Sequence, residues 1–309
     1  MNFFFDLFHF GVWIAVTNAL WPLFFKLPRS IGEKIIQKKH KRVFLYINKT
    51  IGSLIKDFFP LCDVVENKND APIWFCWLQG EDAMPDIVKI CYNAIQRNSN
   101  GHSVNLITNQ NYFDYCLIPD YIVKLHKSNK ILPAHFADIL RTCLLYEHGG
   151  VWVDATLLVT RPLPKECFSS RFYSCRMVNH GLYVSEYMWS NFFLCAPAYS
   201  PLFGFVRKCF FEYLKKQNRF VDYFMMDYFM KLGIDTFPEI RDDVEQLDYN
   251  NLQVHSLSKL LNTICSEEKF KEFFKQETYV FKLFKFVKMK KKENSSKTYF
   301  EHLKSLYQV

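Results

Sequence analysis

The stretch PAHFADILRTCLLYEHGGVWVDATLLVT, Pro133 to Thr160, decides the fold of this chain. Its first half repeats apolar residues at helical spacing and runs into the pair Gly149-Gly150. A short β-rich run, Val151 to Val153, follows, and Asp154 stands where that strand should end. The pattern predicts a helix, a turn and a strand that presents a carboxylate at its carboxyl end.

Asp138 and Arg141 form a polar pair within the predicted helix. Because they are three residues apart, they share one face. Such a pair is usually a surface ion pair that contributes about 0.2–0.5 kcal/mol. Here the helix leads directly to the two glycines and Asp154, which brings all three polar residues toward one end of the sheet. That placement favours a functional role for the Asp138–Arg141 pair.

Strand and helix patterns also alternate upstream. The run Ile73 to Trp77 predicts a buried strand, a helix follows, and Ser103 to Ile107 predicts a second strand. This alternation is typical of a mainly parallel sheet with right-handed crossovers, in which ligands bind at the carboxyl ends of the strands. We therefore expect Trp77, Thr108 and Asp154 near that edge.

The second half of the chain is less regular. Asn191 to Cys195 is a candidate strand, and Pro201 to Lys216 is predicted to be a helix. Phe220 to Met230 predicts a strongly aromatic helix that carries Asp222 and Asp227. Since these two residues are five apart, they need not share a face.

The first 28 residues are strongly apolar, and no formally charged residue occurs from Leu7 to Phe25. That length is near the ~20 residues that span a bilayer, although His9, Thr17, Asn18 and Pro22 interrupt it. Three interpretations stay open: a helix lying on a membrane, a weak single span, and a helix packed on the domain. The segment lacks a basic n-region and a small-residue cleavage site, so it does not fit a secretory signal. Residues 29–66 are predicted to be helical.

Much of the formal net charge of +8 lies near the ends, in Lys38 to Arg42 and Lys288 to Lys292. A basic balance suits nucleic acid, anionic lipid or phosphorylated substrates, and ordinary solvated charge is the alternative. We expect no nucleic-acid partner, because the chain lacks a Lys/Arg stripe interleaved with aromatic residues. The tail from Thr278 mixes Phe, Leu and Val with Lys, as interfacial helices do, so both ends are expected at a membrane surface.

The ten cysteines form no Cys-x-x-Cys pair and have no His at zinc-finger spacing. Most lie in apolar runs, such as the one around Cys76. This usage predicts buried thiols in a reducing cytosol rather than a disulfide framework.

The run AHFADILRTCLLYEHGGVWVDATLL closely resembles the bacterial capsular polysaccharide synthesis protein family. This family is related to the DXD sugar-binding mannosyltransferases and, more distantly, to the clostridial toxin glucosyltransferases. The upstream run IWFCWLQGEDAMPDIVKICYNAIQRN resembles the opening strand and helix of the family, and WSNFFLCAP and DYFMMDYF resemble its second half. The resemblance covers roughly Ala71 to Gly233.

The resemblance implies a GT-A fold, a nucleotide-sugar donor, a divalent cation (Mn²⁺ or Mg²⁺) and usually retention at the anomeric carbon. By position, Trp77 would stack on the base of the donor. Asp138 and Arg141 would hold sugar hydroxyls and the diphosphate, and Asp154 would be the first acid of the D-x-D motif. The second acid is replaced by Thr156. Asp154 and Thr156 are thus the expected metal ligands, although a hydroxyl is a weaker ligand than a carboxylate.

Three further residues are candidates for substrate binding. Thr108 is expected at the ligand edge of the sheet, and Asn191 is a candidate for facing the donor phosphate. Asp227 is a candidate for positioning an acceptor hydroxyl, with solvation of a helix surface as the alternative. Trp77 has the alternative of a core tryptophan, and Asp154 that of a capping residue at a strand end.

The sequence therefore predicts an α/β, GT-A-like, Rossmann-type mixed sheet flanked by helices, with helical appendages at both ends. The expected divisions are an N-terminal segment (1–66), a glycosyltransferase domain (71–265) and a C-terminal tail (266–309). The expected function is a hexosyltransferase at the inner face of the plasma membrane that moves a sugar from a nucleotide donor to a growing, lipid-linked surface glycan. The leading catalytic candidates are Asp138, Arg141 and Asp154. The alternative is a non-catalytic scaffold of the same fold in a polysaccharide-synthesis assembly.

Overall fold

The computed structural model describes residues 3–24, 26–58, 70–178, 183–284 and 297–309. Its strands are β1 (Ile73–Cys76), β2 (Val104–Ile107), β3 (Gly150–Asp154), β4 (Leu157–Val159), β5 (Tyr173–Ser174), β6 (Phe193–Ala196) and β7 (Val280–Lys282). Five strands form one sheet in the order β2-β1-β3-β6-β5, and β4 pairs with β7 in a second, small sheet. The β1–β2 and β1–β3 pairings are parallel, whereas β6 is antiparallel to both β3 and β5. The large sheet is therefore mixed.

The remaining regular structure is mostly helical. The helices are α1 (Phe3–Phe10), α2 (Val12–Ala19), α3 (Trp21–Phe24), α4 (Arg29–Asp57), α5 (Asp86–Arg97), α6 (Tyr112–Tyr115), α7 (Asp120–Lys127), α8 (Pro133–His148), α9 (Glu166–Ser169), α10 (Pro201–Lys216), α11 (Met225–Thr236), α12 (Pro238–Glu245), α13 (Glu267–Phe273) and α14 (Tyr299–Tyr307). The predicted α/β class, a mixed sheet flanked by helices, is confirmed.

Two apolar cores lie on opposite faces of the large sheet, because successive side chains of a strand point to opposite faces. In β1, Trp74 and Cys76 belong to the core that contains the buried residues of α8 and α10. Ile73 and Phe75 belong to the other core, with the buried residues of α5 and α14. Burial on both faces explains why β1 reads as a continuous apolar run.

The order of the strands creates a crevice at one edge of the sheet. The chain passes from β1 to β2 on one side and then returns to place β3 on the other side of β1. Ligands of open α/β sheets bind outside the carboxyl ends of the strands at such a reversal. The last residues of the two strands, Cys76 and Asp154, are direct partners in the parallel register. Residues that follow β1 and β3 therefore meet at this point.

The turn between α8 and β3 requires glycine at both positions. Gly149 has φ 68° and Gly150 has φ 92°, a region that other residues rarely adopt. A Cβ on Gly149 would lie 2.5 Å from the backbone nitrogen of Ala198, and one on Gly150 would collide with the carbonyl oxygen of Pro72. The two glycines thus allow α8 to end and β3 to enter the sheet beside β1.

The N-terminal segment forms short helices that contact the rest of the molecule. Ile14 and Ala15 of α2 are buried, and Asn18 donates a hydrogen bond to the carbonyl oxygen of Val221 (3.0 Å). Among the residues described, none of the helices combines the length and the apolar character needed to cross a membrane. The helix predicted over 29–66 is observed as α4, and residues 59–69 lie outside the described part of the chain.

Two local predictions were wrong. Val280–Lys282 form a strand that pairs with β4, not part of an interfacial helix, because Val280 and Phe281 are buried in a core. The basic run 288–292 lies outside the described residues. The aromatic helix begins at Met225 rather than Phe220, so Asp222 precedes it. The nine described cysteines are buried and free, as predicted, and Cys62 lies outside the described residues.

Candidate functional site

A pocket of about 1190 Å³ opens at the carboxyl ends of β1 and β3. This volume exceeds the usual range for small-ligand sites, ~300–1,000 Å³, and suits a ligand with several parts. Trp77 follows β1 and Asp154 ends β3, and both line it. α8 contributes a stripe at helical spacing that includes Asp138 and Arg141. The structure thus brings these four predicted residues together.

Asp154 accepts three hydrogen bonds, one from each of three side chains that line the pocket. Its Oδ1 accepts hydrogen bonds from Nη2 of Arg141 (3.0 Å) and Nε1 of Trp152 (2.8 Å), and its Oδ2 accepts one from Nζ of Lys282 (2.6 Å). Trp152 can reach it because residues two apart on β3 share a face. Both oxygens of the carboxylate therefore have partners.

The two cations determine the ionisation of this carboxylate. Burial acts to raise the pKa of Asp154, but the charges of Lys282 and Arg141 and the hydrogen bonds from Lys282 and Trp152 outweigh it and lower the pKa to about 2. Asp154 is consequently an anion at neutral pH. An ionised carboxylate at this position is available to pair with cations but not to donate a proton.

Asp138 has the opposite electrostatic character. Burial raises its pKa to about 7, and the charge of Asp154 adds to that effect, while Arg141 acts against it. Its Oδ1 lies 3.3 Å from Nη2 of Arg141. Asp138 is therefore able to exchange a proton near neutral pH, as general acids and bases do.

Arg141 is the centre of this cluster and is almost fully buried. Its guanidinium lies 4.8 Å from the centroid of the Trp152 ring, which adds a cation–π contact to its two ion pairs. Its buried Nε has no hydrogen-bond partner among the described residues. A buried donor without a partner is costly, so a ligand that accepts from it would be stabilised.

Asn191 and Asp227, two of the predicted substrate-binding residues, also line the pocket. The buried Oδ1 of Asn191 has no hydrogen-bond partner within the described ranges. Asp227 accepts a hydrogen bond from Nε1 of Trp189 (2.9 Å). Burial raises the pKa of Asp227 to about 7, with a further contribution from Asp138.

Thr108 lies at the predicted edge of the sheet but not in the lining of the pocket. It follows β2, which is the outermost strand and is separated from β3 by β1. Its hydroxyl is used within its own loop, where it accepts a hydrogen bond from the backbone of Gln110 and contacts the side chain of Asn111. The sequence predicted the correct edge of the sheet for Thr108, but the residue lies too far along that edge to line the pocket.

Lys282 lines the pocket, although its local sequence did not indicate a site residue. It is the last residue of β7, and the antiparallel pairing with β4 sets it opposite Leu157, three residues after Asp154. The signal lay in the short apolar run before it, Val280-Phe281, which was assigned to an interfacial helix. Trp152 and Trp189 were missed as well, because nothing in their local sequence distinguishes a hydrogen-bonding tryptophan from a core residue.

The donor set at Asp154 is compatible with a hard divalent cation. Asp154 is ionised, and Thr156 lies two residues further along the same pocket wall. Mg²⁺ often takes only one or two protein carboxylates and completes its shell with water and phosphate oxygens. No group of three or more His, Cys, Asp or Glu side chains suited to a metal occurs in the described residues. A cation here would thus depend on Asp154 and on oxygens from a ligand.

Comparison with known proteins decides the family. The profile of the family described as "Capsular polysaccharide synthesis protein" matches residues 26–303. The chain belongs to this family. The resemblance drawn from residues 134–158 is therefore confirmed, and the match spans α4 through most of α14.

The chain is also similar to solved structures. Among solved structures, "PaToxG Glycosyltransferase" is similar over 70% of this chain and 83% of its own chain, with 16% sequence identity and a TM-score of 0.39. At that level the similarity supports no conclusion about activity. A comparison with curated proteins found no significant match.

Proposed function

We propose that this protein is a glycosyltransferase that moves a sugar from a nucleotide-sugar donor to a growing surface glycan. The observation that carries the proposal is the ionised Asp154 at the reversal of strand order, in contact with Arg141 and Lys282. Leaving diphosphates are anions, and preorganised positive charge at the place where negative charge develops is a principal source of catalysis. Membership of the capsular polysaccharide synthesis family supports the same function.

The proposed roles of the individual residues follow from their positions. Trp77, half-buried in the pocket wall, stacks on the base of the donor. Arg141 binds the diphosphate through its unpartnered Nε and its remaining donors. Asp138 binds sugar hydroxyls, Asn191 faces the donor phosphate, and Asp227 positions the hydroxyl of the acceptor.

A divalent cation, Mn²⁺ or Mg²⁺, is part of the proposal, with Asp154 and Thr156 as its protein ligands. When bound, the cation would offset charge on the leaving diphosphate. We also propose retention at the anomeric carbon through attack on the same face, with the leaving diphosphate taking the proton of the acceptor hydroxyl. Analysis of the linkage in the product tests retention directly.

We further propose that the protein works at the inner face of the plasma membrane on a lipid-linked acceptor. Among the described residues, seven exposed large apolar side chains occur in a short part of the chain near its start: Phe8, Val12, Trp13, Leu20, Leu23, Leu27 and Ile31. Exposed lysines and arginines of α4, among them Lys38 and Arg42, follow directly. Apolar side chains beside basic ones favour anionic lipid surfaces.

Co-flotation with lipid vesicles tests the membrane proposal. We expect the full chain to float with vesicles that contain phosphatidylglycerol and to float less with pure phosphatidylcholine. The double variant Phe8→Ser/Leu23→Ser should lose flotation, whereas Phe113→Ser, which removes an exposed apolar side chain of α6, should keep it. Equal flotation of the two variants would refute an N-terminal membrane surface.

Hydrolysis of a panel of nucleotide sugars in the presence of Mn²⁺ tests the catalytic proposal. We expect one donor to be hydrolysed slowly and transferred faster when an acceptor glycan is added. Asp154→Asn should reduce the rate by about 100-fold or more. The matched control is Asp86→Asn, which removes a carboxylate that pairs with Lys304 outside the pocket. The control should retain full activity.

The second candidate function is a non-catalytic scaffold that binds a sugar nucleotide. Two observations favour it: Thr156 replaces the second acid, and both oxygens of Asp154 already contact cations. Binding of one nucleotide sugar without hydrolysis or transfer under any metal condition would support the scaffold over the transferase.

A further inference from the structure

Lys282 holds Oδ2 of Asp154, the oxygen that Arg141 and Trp152 do not contact. Its Nζ lies 2.6 Å from Oδ2 of Asp154, while Oδ1 is shared by Arg141 and Trp152. Mg²⁺ binds oxygen ligands directly at about 2.0–2.1 Å. A divalent cation at that distance from Oδ2 would lie against the ammonium group of Lys282, and two positive charges so close repel strongly.

Lys282 is also able to leave this position. Its side chain is 19% exposed, it borders the pocket, and its Nζ lies 5.3 Å from the centroid of the Phe192 ring. A lysine carries its charge on a flexible four-carbon stem with three rotatable donors. It can therefore turn from one anionic partner to another without movement of the backbone.

A diphosphate in the pocket supplies that second partner. Among the described residues, one arginine, Arg141, and one lysine, Lys282, line the pocket. Both cations pair with Asp154, Arg141 through Oδ1 and Lys282 through Oδ2. A diphosphate carries more negative charge than one carboxylate, so it competes with Asp154 for Lys282.

We propose that Lys282 is a diphosphate-binding residue that blocks Asp154 from metal until the donor arrives. In the absence of donor, the Lys282–Asp154 ion pair excludes a divalent cation. When the diphosphate enters, Lys282 turns to the phosphate oxygens and releases Oδ2 of Asp154, which would then be free to hold a divalent cation. Metal and donor then bind interdependently rather than in separate sites. This inference rests on the proposed function of the pocket.

Two binding measurements on the purified full-length protein test the proposal without any turnover. The first is titration of Mn²⁺ alone, followed by calorimetry. We expect Lys282→Met to bind Mn²⁺ about tenfold or more tightly than the wild type, because the competing ammonium group is gone. Lys282→Arg retains the positive charge and should bind Mn²⁺ as weakly as the wild type. The double variant Lys282→Met/Asp154→Asn should lose the gain, which assigns it to Asp154.

The second measurement is titration of inorganic pyrophosphate without metal. We expect Lys282→Met to bind it about tenfold or more weakly than the wild type, because a charge-assisted contact is removed. Lys304→Met is the matched control for both titrations, since its ion pair with Asp86 has the same 2.6 Å separation but lies outside the pocket. Its affinities should stay within about twofold of the wild type.

Unchanged Mn²⁺ affinity in Lys282→Met, or unchanged pyrophosphate affinity, overturns the proposal. Near-ultraviolet circular dichroism of each variant confirms that its fold is intact before titration. The outcome is independent of the proposed catalytic activity, because neither titration involves sugar transfer. A protein that fails to hydrolyse any nucleotide sugar can still pass both tests, and an active transferase can fail both.

Discussion

Nζ of Lys39 on α4 lies 2.6 Å from Oδ2 of Asp222, and both side chains are almost fully buried, at 3% and 1% exposed. Asp222 also accepts a hydrogen bond from the backbone of Phe224 (2.8 Å). Tyr223 and Phe224, the next two residues, line the pocket. The ion pair therefore connects the N-terminal helical segment to a wall of the candidate site.

The stability of the protein should depend on this pair. Lys39→Met leaves Asp222 buried without its cation, so we expect the free energy of unfolding to fall by about 3–5 kcal/mol. Lys39→Met/Asp222→Asn should recover part of that loss, because the amide oxygen keeps the hydrogen bond from Phe224 without a charge. Urea denaturation measures both. A loss as small as that of Lys304→Met, which breaks a more exposed ion pair, would contradict the prediction.

The same wall should respond to Trp21. Its ring centroid lies 5.7 Å from that of Phe224 and 6.2 Å from that of Tyr183, and both partners line the pocket. We expect Trp21→Ala to reduce sugar transfer by up to about 100-fold, because small displacements of substrate-positioning groups have large effects on rate. Trp13→Ala removes a more exposed tryptophan of α2 and should leave the rate nearly unchanged. Equal rates in the two variants would show that Trp21 does not support the pocket.

Asp227 should make the stability depend on pH. Burial raises its pKa to about 7, so between about pH 4 and 7 the folded state holds a proton that the unfolded state releases. The contribution of this group to stability therefore falls as the pH rises through that range and stays low above it. Asp227→Asn keeps an oxygen for the hydrogen bond from Trp189 and cannot ionise.

We accordingly expect Asp227→Asn to melt at the same temperature as the wild type near about pH 4 and at a higher temperature near about pH 8. Melting curves across the range, followed by circular dichroism, provide the measurement. A constant difference between the two proteins at every pH would refute a raised pKa for Asp227. Transfer activity should fall in the variant if Asp227 positions the acceptor.

The turn before β3 should tolerate no side chain. Gly150 has a positive φ and a close contact with the carbonyl oxygen of Pro72, so Gly150→Ala should destabilise the protein by more than about 1–2 kcal/mol. The control is Gly52→Ala within α4, where an added Cβ meets no atom within 4 Å. Because alanine favours helices, that variant should gain about 0.5–1 kcal/mol. Chemical denaturation of both variants measures the contrast.

The parts of the fold that local patterns specify were predicted well. β1, α8 and β3 appear within one or two residues of their predicted limits, and α10 has the predicted limits of Pro201 and Lys216. Periodicity and turn glycines determine these elements, so the sequence near them contains the information. For the same reason Asp138, Arg141 and Asp154 were expected together, and the structure places them in contact.

Features that depend on distant pairing could not be predicted. Lys282 reaches Asp154 across 128 residues through a three-residue strand, which has too few residues to show a period of two. α11 begins late, at Met225, and Asp222 just before it pairs with Lys39 of α4, a contact that the local sequence does not reveal. Thr108 lies outside the pocket because β2 is the outermost strand of the sheet. The local sequence of a strand does not specify its place in that order.

Because β7 pairs with β4 from far along the chain, the pocket receives Lys282 late in synthesis. Translation proceeds at about 5–20 residues per second, so the 128 residues between Asp154 and Lys282 take on the order of ten seconds to synthesise. Throughout that interval the nascent chain already contains the residues of α8 and β3, so Arg141 can pair with Asp154 before Lys282 has been added. The nascent chain can thus assemble much of its sheet before its ligand pocket has its final charge. Competence to bind an anionic ligand in the proposed way arrives only after residue 282 has left the ribosome.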